Sequence, residues 1–240
     1  MDQPDRITQG YFSSQRGDND DGVSSSFMRR RLLLSALVPF LFVAIAWLVM
    51  LYSVLFGTDL FYLGIYPRTA EGLPGVIFCP FIHSSAAHLG GNTLPLLFLG
   101  TAAFYFYRNS AFKVAAFVWI FSGAVTWLLA REAWHIGASG IVYGLASFLF
   151  FSGIIRKNFR LMALSLLIVF LYGSMVWGMF PEIYRDVSWE GHAAGFIAGI
   201  IMAIVYRNEG PSERRPAWMD EDEDLEKEEN VPDITIDEKN

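Results

Sequence analysis

The chain is poor in cysteine and in charge, and its first residues contain no apolar stretch. The single cysteine, Cys79, excludes an intramolecular disulfide and CxxC metal or redox chemistry. Beside Pro80 it reads as a small apolar packing residue. Only 18% of the residues are charged, against about 25% in soluble domains. No stripe alternates basic and aromatic residues, so a nucleic-acid partner has no support. Residues 1–26 lack the apolar core of a cleaved signal peptide, and their aspartates argue against a mitochondrial transit peptide. No run alternates polar and apolar with period two, which argues against a membrane β-barrel.

What is present is apolar surface in long runs. The chain is 53% hydrophobic with a mean hydropathy of +0.36. The net charge of -6 comes largely from one acidic run, Asp220-Glu221-Asp222-Glu223-Asp224, and implies no basic partner for the core. Six runs approach the ~20 residues that a helix needs to cross ~30 Å of hydrocarbon. They are Leu32–Phe56, Leu89–Tyr107, Val114–Ala130, Ser139–Ile155, Leu161–Phe180 and Gly191–Tyr206. The expected fold is therefore all-α, a polytopic bundle of six transmembrane helices over 29–208. A disordered leader (1–28) and an acidic disordered tail (209–240) flank it. The second, fourth and sixth runs are rich in Gly and Ala, which permit close approach, and are expected to be the inner helices.

Eleven Lys and Arg residues lie near the run ends on one side: Arg29, Arg30 and Arg31 before the first run, Arg108 and Lys113 between the second and third, Arg156, Lys157 and Arg160 between the fourth and fifth, and Arg207, Arg214 and Arg215 after the sixth. The other connections carry three, namely Arg68, Arg131 and Arg185. By the positive-inside rule both termini are expected in the cytoplasm of a multi-pass cell-membrane protein. The connection from Gly57 to His88 is long, aromatic and apolar, and is expected to lie partly in the outer interface.

That topology brings polar residues to one depth. Ser139 opens the fourth run, His192 the sixth, and His88 and Asn92 the second, all entering from the outer side. A serine hydroxyl needs a base to become a nucleophile, and His192 is the available one. His88 and Asn92, four apart, share a helix face and can donate hydrogen bonds to an oxyanion. The Ser139 amide at a helix N-terminus adds a donor. Tyr143, one turn below Ser139, can brace the His192 ring. Glu190 is directed away by helical geometry, which leaves a dyad. Gly195 and Gly199 form a close-packing face able to bring the sixth run against the fourth. Taken singly each residue has a structural reading, and His83 and His135 read as loop residues at the outer surface. A metal site built on His83, His88, His135 and His192 lacks convergent carboxylates, so neither metal nor cofactor is expected. A non-enzymatic holder of transmembrane helices is the rival reading, and it has no need of the Ser139 and His192 pair.

The segments His88-Leu89-Gly90-Gly91-Asn92, Gly137-Ala138-Ser139-Gly140-Ile141-Val142-Tyr143-Gly144 and Gly191-His192-Ala193-Ala194-Gly195 with Gly199 resemble the rhomboid intramembrane serine proteases, in family order. The resemblance covers about Leu32 to Tyr206. It implies Ser139 as nucleophile, His192 as base, His88 and Asn92 on the oxyanion side, and Gly137 and Tyr143 in support. It further implies an interfacial first loop and a mobile gate near the fifth span. The substrates it implies are single-span transmembrane proteins in the lipid bilayer, cut at a small residue near the outer leaflet. His83 and Gly100 also fit the pattern. Two positions depart from it: Phe104 stands where many members carry a glutamate, and Tyr66-Pro67-Arg68 matches a Trp-Arg pair only in part.

Overall fold

The computed structural model describes residues 8–171, 178–180 and 187–210, with side-chain surroundings from residue 26 onward except at 160, 165, 168, 169 and 171. Among these residues the regular structure is helical. It comprises α1 (Thr8–Phe56), α2 (Gly75–Phe78), α3 (Ala86–Phe106), α4 (Ala111–Leu129), α5 (Ser139–Ile155), α6 (Phe159–Leu171) and α7 (Trp189–Val205). Helices thus occupy all or part of each predicted run. The expected boundary at residue 29 falls inside α1. The end of the fifth run, the expected gate there and the tail from 211 lie outside the described residues.

Three helices are long and apolar enough to cross a membrane: Ser26–Phe56 within α1, α3 and α4. The apolar helices α5 and α7 have 17 residues each, about 25 Å at 1.5 Å per residue. That is shorter than ~30 Å of hydrocarbon, so a polar group at the first turn of either helix sits inside the apolar layer when the opposite end reaches its boundary. The apolar surface is also turned outward. Leu33, Leu48, Val54 and Leu55 on α1 are each more than 60% exposed. A helix apolar all round belongs in lipid or in a core, and here the outward-facing residues of α1 are exposed among the described residues.

The inner layer is α5. It packs most extensively on α7 and also against α3, α4 and α6. Leu99, Val114, Val118, Phe148, Leu149, Leu161 and Ala198 are fully buried around it. The close approach of α5 and α7 depends on two glycines. A Cβ on Gly195 would collide with the Gly140 backbone, and one on Gly199 with Gly144 O and Ser147 Oγ. Ser147 Oγ then donates across the interface to Phe196 O at 2.8 Å. On the other side of the bundle Pro39 of α1 seats on Gly100 of α3. Phe104 meets Phe112 edge-on, with ring centroids 4.8 Å apart.

The two ends of the bundle differ in chemistry. At one end Arg31 donates to Tyr105 O and stacks over the Tyr105 ring, while Arg156 donates to the carbonyls of Arg207 and Glu209. At the other end the long first loop is folded down on the helices. Ile65 and His135 form an antiparallel bridge, Arg68 donates to Ala130 O, and Trp127 Nε1 donates to Thr69 O. Cys79 is buried beneath this loop, and burial pushes its thiol up to about 12, consistent with the packing role expected of it.

Candidate active site

Three helix N-termini meet beneath the first loop, and each brings one or two polar side chains. Helix α3 is capped by Ser85, whose Oγ accepts the His88 N–H at 3.1 Å, so His88 sits in the first turn and Asn92 one turn further. Ser139 is the first residue of α5. Helix α7 is capped by Ser188, whose Oγ accepts the Gly191 N–H, and His192 follows one residue later.

The two residues far apart in sequence are in contact. Ser139 Oγ lies 2.7 Å from His192 Nε2. The other ring nitrogen, Nδ1, lies 2.8 Å from Gly178 O. A carbonyl only accepts, so Nδ1 carries the proton of the neutral ring and Nε2 presents its lone pair to the serine hydroxyl. That is the tautomer a base requires. Tyr143 stacks on the imidazole at a centroid distance of 4.2 Å and an interplanar angle of 13°. His192 is 7% exposed and Tyr143 6%, so the ring has little room to turn.

The backbone before Ser139 is shaped by Gly137. Its φ of +105° is in the region that favours glycine. A Cβ there would stand 2.9 Å from His88 Nε2. His88 therefore faces this turn through Nε2, while its Nδ1 lies 3.2 Å from Ser84 Oγ. Asn92 is buried, and its Nδ2 donates to His83 Nε2 at 3.2 Å and to His88 O at 3.3 Å. Both amide hydrogens are thus occupied, and Asn92 must exchange one of these contacts to reach a developing oxyanion. In α5 the first helical hydrogen bond comes from Ile141 to Ala138 O, so the N–H groups of Ser139 and Gly140 precede the ladder and form a donor pair at a helix N-terminus.

The sequence reading of His83 and His135 as outer-surface residues is corrected by the structure. Both belong to loops, and both are buried. His83 Nε2 accepts from Asn92 and from the Ala138 N–H at 3.4 Å, which joins α3 to the turn before Ser139. Burial pushes its imidazole down to about 4, aided by the adjacent His88 and opposed by a Phe81 backbone contact. His135 is drawn in by its bridge to Ile65 and lies 2.7 Å from Ser188 Oγ. Burial lowers its pKa as well. Gly178 was not singled out from the sequence; a backbone carbonyl leaves no residue-type signal.

These groups line a cavity of about 680 Å³ whose walls include Ser139, His192, His88, Asn92, Trp134 and Gly178.

The family model of the Rhomboid domain matches residues 71–209. An uncharacterized protein of Mycobacterium tuberculosis (strain ATCC 25618 / H37Rv) is 35% identical over 186 residues, covering 74% of this chain and 77% of its own length. One of Mycobacterium leprae (strain TN) is 32% identical over 186 residues, covering 74% and 73%. RHOMBOID-like protein 4 of Arabidopsis thaliana is 26% identical over 137 residues, 54% of this chain and 34% of that protein.

Proposed function

The chain belongs to the rhomboid family of intramembrane proteases, and on that premise we propose that it is a serine endopeptidase cutting single-span membrane proteins with Ser139 and His192. The observation that carries this reading is the 2.7 Å contact between Ser139 Oγ and His192 Nε2, with Nδ1 committed to Gly178 O.

The chemistry then follows. His192 Nε2 takes the Ser139 proton as Oγ attacks the scissile carbonyl carbon. The resulting oxyanion is met by the Ser139 amide and by His88 or Asn92, each such donor being worth about 2.7–4 kcal/mol in the barrier. The imidazolium returns its proton to the leaving amine. Water then attacks the acyl-serine, passing a proton to the same nitrogen, and the serine is regenerated. A helical substrate must unwind locally, since its carbonyls are otherwise held in the helix and shielded by side chains.

The orientation proposed is both termini in the cytoplasm and the dyad toward the outer side. It is supported by the basic residues at the end of the bundle remote from Ser139, where Arg31 meets Tyr105 and Arg156 meets Arg207. Reporter fusions at each terminus test it: both are expected to score cytoplasmic, and a periplasmic or external score at either end defeats the orientation.

The activity is tested with the purified protein and a labelled transmembrane substrate. Cleavage is expected from the wild type and not from Ser139→Ala or His192→Ala. Cleavage that survives either substitution defeats the assignment.

A further inference from the structure

The catalytic reading requires α5 and α7 to present their first turns to one another within a hydrogen bond, yet the helix contact ends at glycines that have no side chains to lock register. A second set of polar contacts lies just before both turns. Arg131, in the loop entering α5, donates through Nη1 to Glu190 Oε1 and Oε2 at 3.2 and 3.1 Å, and through Nη2 to Val187 O at 2.8 Å. Its backbone N–H donates to Glu190 Oε1 at 3.2 Å. The Glu190 side chain is only 9% exposed while that of Arg131 is 40% exposed, so the carboxylate is largely out of water and is costly to leave unpaired.

His135 continues the connection. Its Nε2 lies 3.0 Å from Arg131 O, which only accepts, so in the neutral ring Nε2 carries the proton and Nδ1 accepts from the Ser188 hydroxyl. Ser188 Oγ in turn accepts the Gly191 N–H. The directions are consistent along the whole chain of bonds. It ends one residue before His192, and it starts on the loop that leads, four residues beyond His135, to Ser139.

We infer that Arg131, His135, Ser188 and Glu190 form a clasp that positions His192 against Ser139. The inference rests on the proteolytic reading above. These are positioning residues: they act through the two helix starts. The competing role for Glu190 is simple stabilisation of the α7 N-terminus by its charge. That role predicts a lower melting temperature with an unchanged turnover. The clasp predicts the reverse emphasis, because small misplacement of reacting groups costs rate far more than binding.

The test uses the full-length protein in proteoliposomes and three readouts: kcat and KM on a labelled transmembrane substrate, the rate at which a fluorophosphonate labels Ser139, and the melting temperature. Glu190→Ala and His135→Ala are expected to lower kcat and the labelling rate together, by about 10- to 100-fold, with KM little changed. Glu190→Gln, which keeps the shape and still accepts from Arg131, is expected to recover much of the loss and serves should the alanine variant fail to fold. Arg131→Ala with Glu190→Ala is expected to be no slower than the slower single variant. Unchanged kcat and labelling in folded His135→Ala, and in Glu190→Ala where it folds, would overturn the clasp while leaving the protease reading intact. A wild type that neither cleaves nor labels defeats the protease reading itself, and the clasp with it.

Discussion

Gly137 shows how one residue serves two constraints. Its φ of +105° turns the chain into α5, and its missing Cβ leaves room for His88 Nε2. Gly137→Ala therefore meets backbone strain and a collision at once, and is expected to reduce cleavage at least tenfold, in keeping with the rate cost of small misplacements. Steady-state kinetics on the folded variant checks this. Tyr143 offers a cleaner separation of ring from hydroxyl. If stacking on His192 is its contribution, Tyr143→Phe retains most turnover and Tyr143→Ala loses it. Equal losses in the two variants would assign the effect to the hydroxyl instead.

Between elements, the decisive contact is the glycine seam of α5 and α7. Gly195 abuts the Gly140 backbone, next to Ser139, and backbone cannot move aside as a flexible side chain can. Gly195→Ala is expected to force the helices apart, to lower stability by about 1–3 kcal/mol and to depress turnover with it. Gly90 provides the control on α3, since a Cβ there meets nothing within 4 Å. Gly90→Ala is expected to leave activity unchanged and to raise stability by about 0.4–1 kcal/mol. Thermal unfolding in detergent, paired with cleavage, distinguishes the two sites.

For the molecule as a whole, two buried loop imidazoles make stability depend on pH. Burial holds His83 and His135 below the ordinary histidine value, His83 at about 4. Between about 6.5, the unfolded value, and about 4, the unfolded chain binds more protons than the folded one. Stability thus rises with pH in this window: the contribution is fully present above about 6.5 and is lost as pH falls toward 4. The melting temperature is expected to fall between pH 7 and pH 5, and His83→Gln is expected to flatten that slope. A slope unchanged in His83→Gln would remove His83 from the account.

The amino-acid order alone determined the helical class, the apolar runs and the residues worth watching, because burial in lipid demands long hydrophobic stretches and any polar group inside one stands out. Ser139, His192, His88, Asn92 and Tyr143 were legible for that reason, and Gly195 with Gly199 by their spacing. Tertiary structure alone decided which nitrogen of His192 faces the serine, since that depends on a carbonyl at Gly178 that no residue type announces. It also decided that His83 and His135 are interior and that Arg131 pairs with Glu190 across 59 positions. Such pairings depend on three-dimensional contact between loops, and a linear pattern of hydrophobicity carries information about burial within an element but none about which loop meets which.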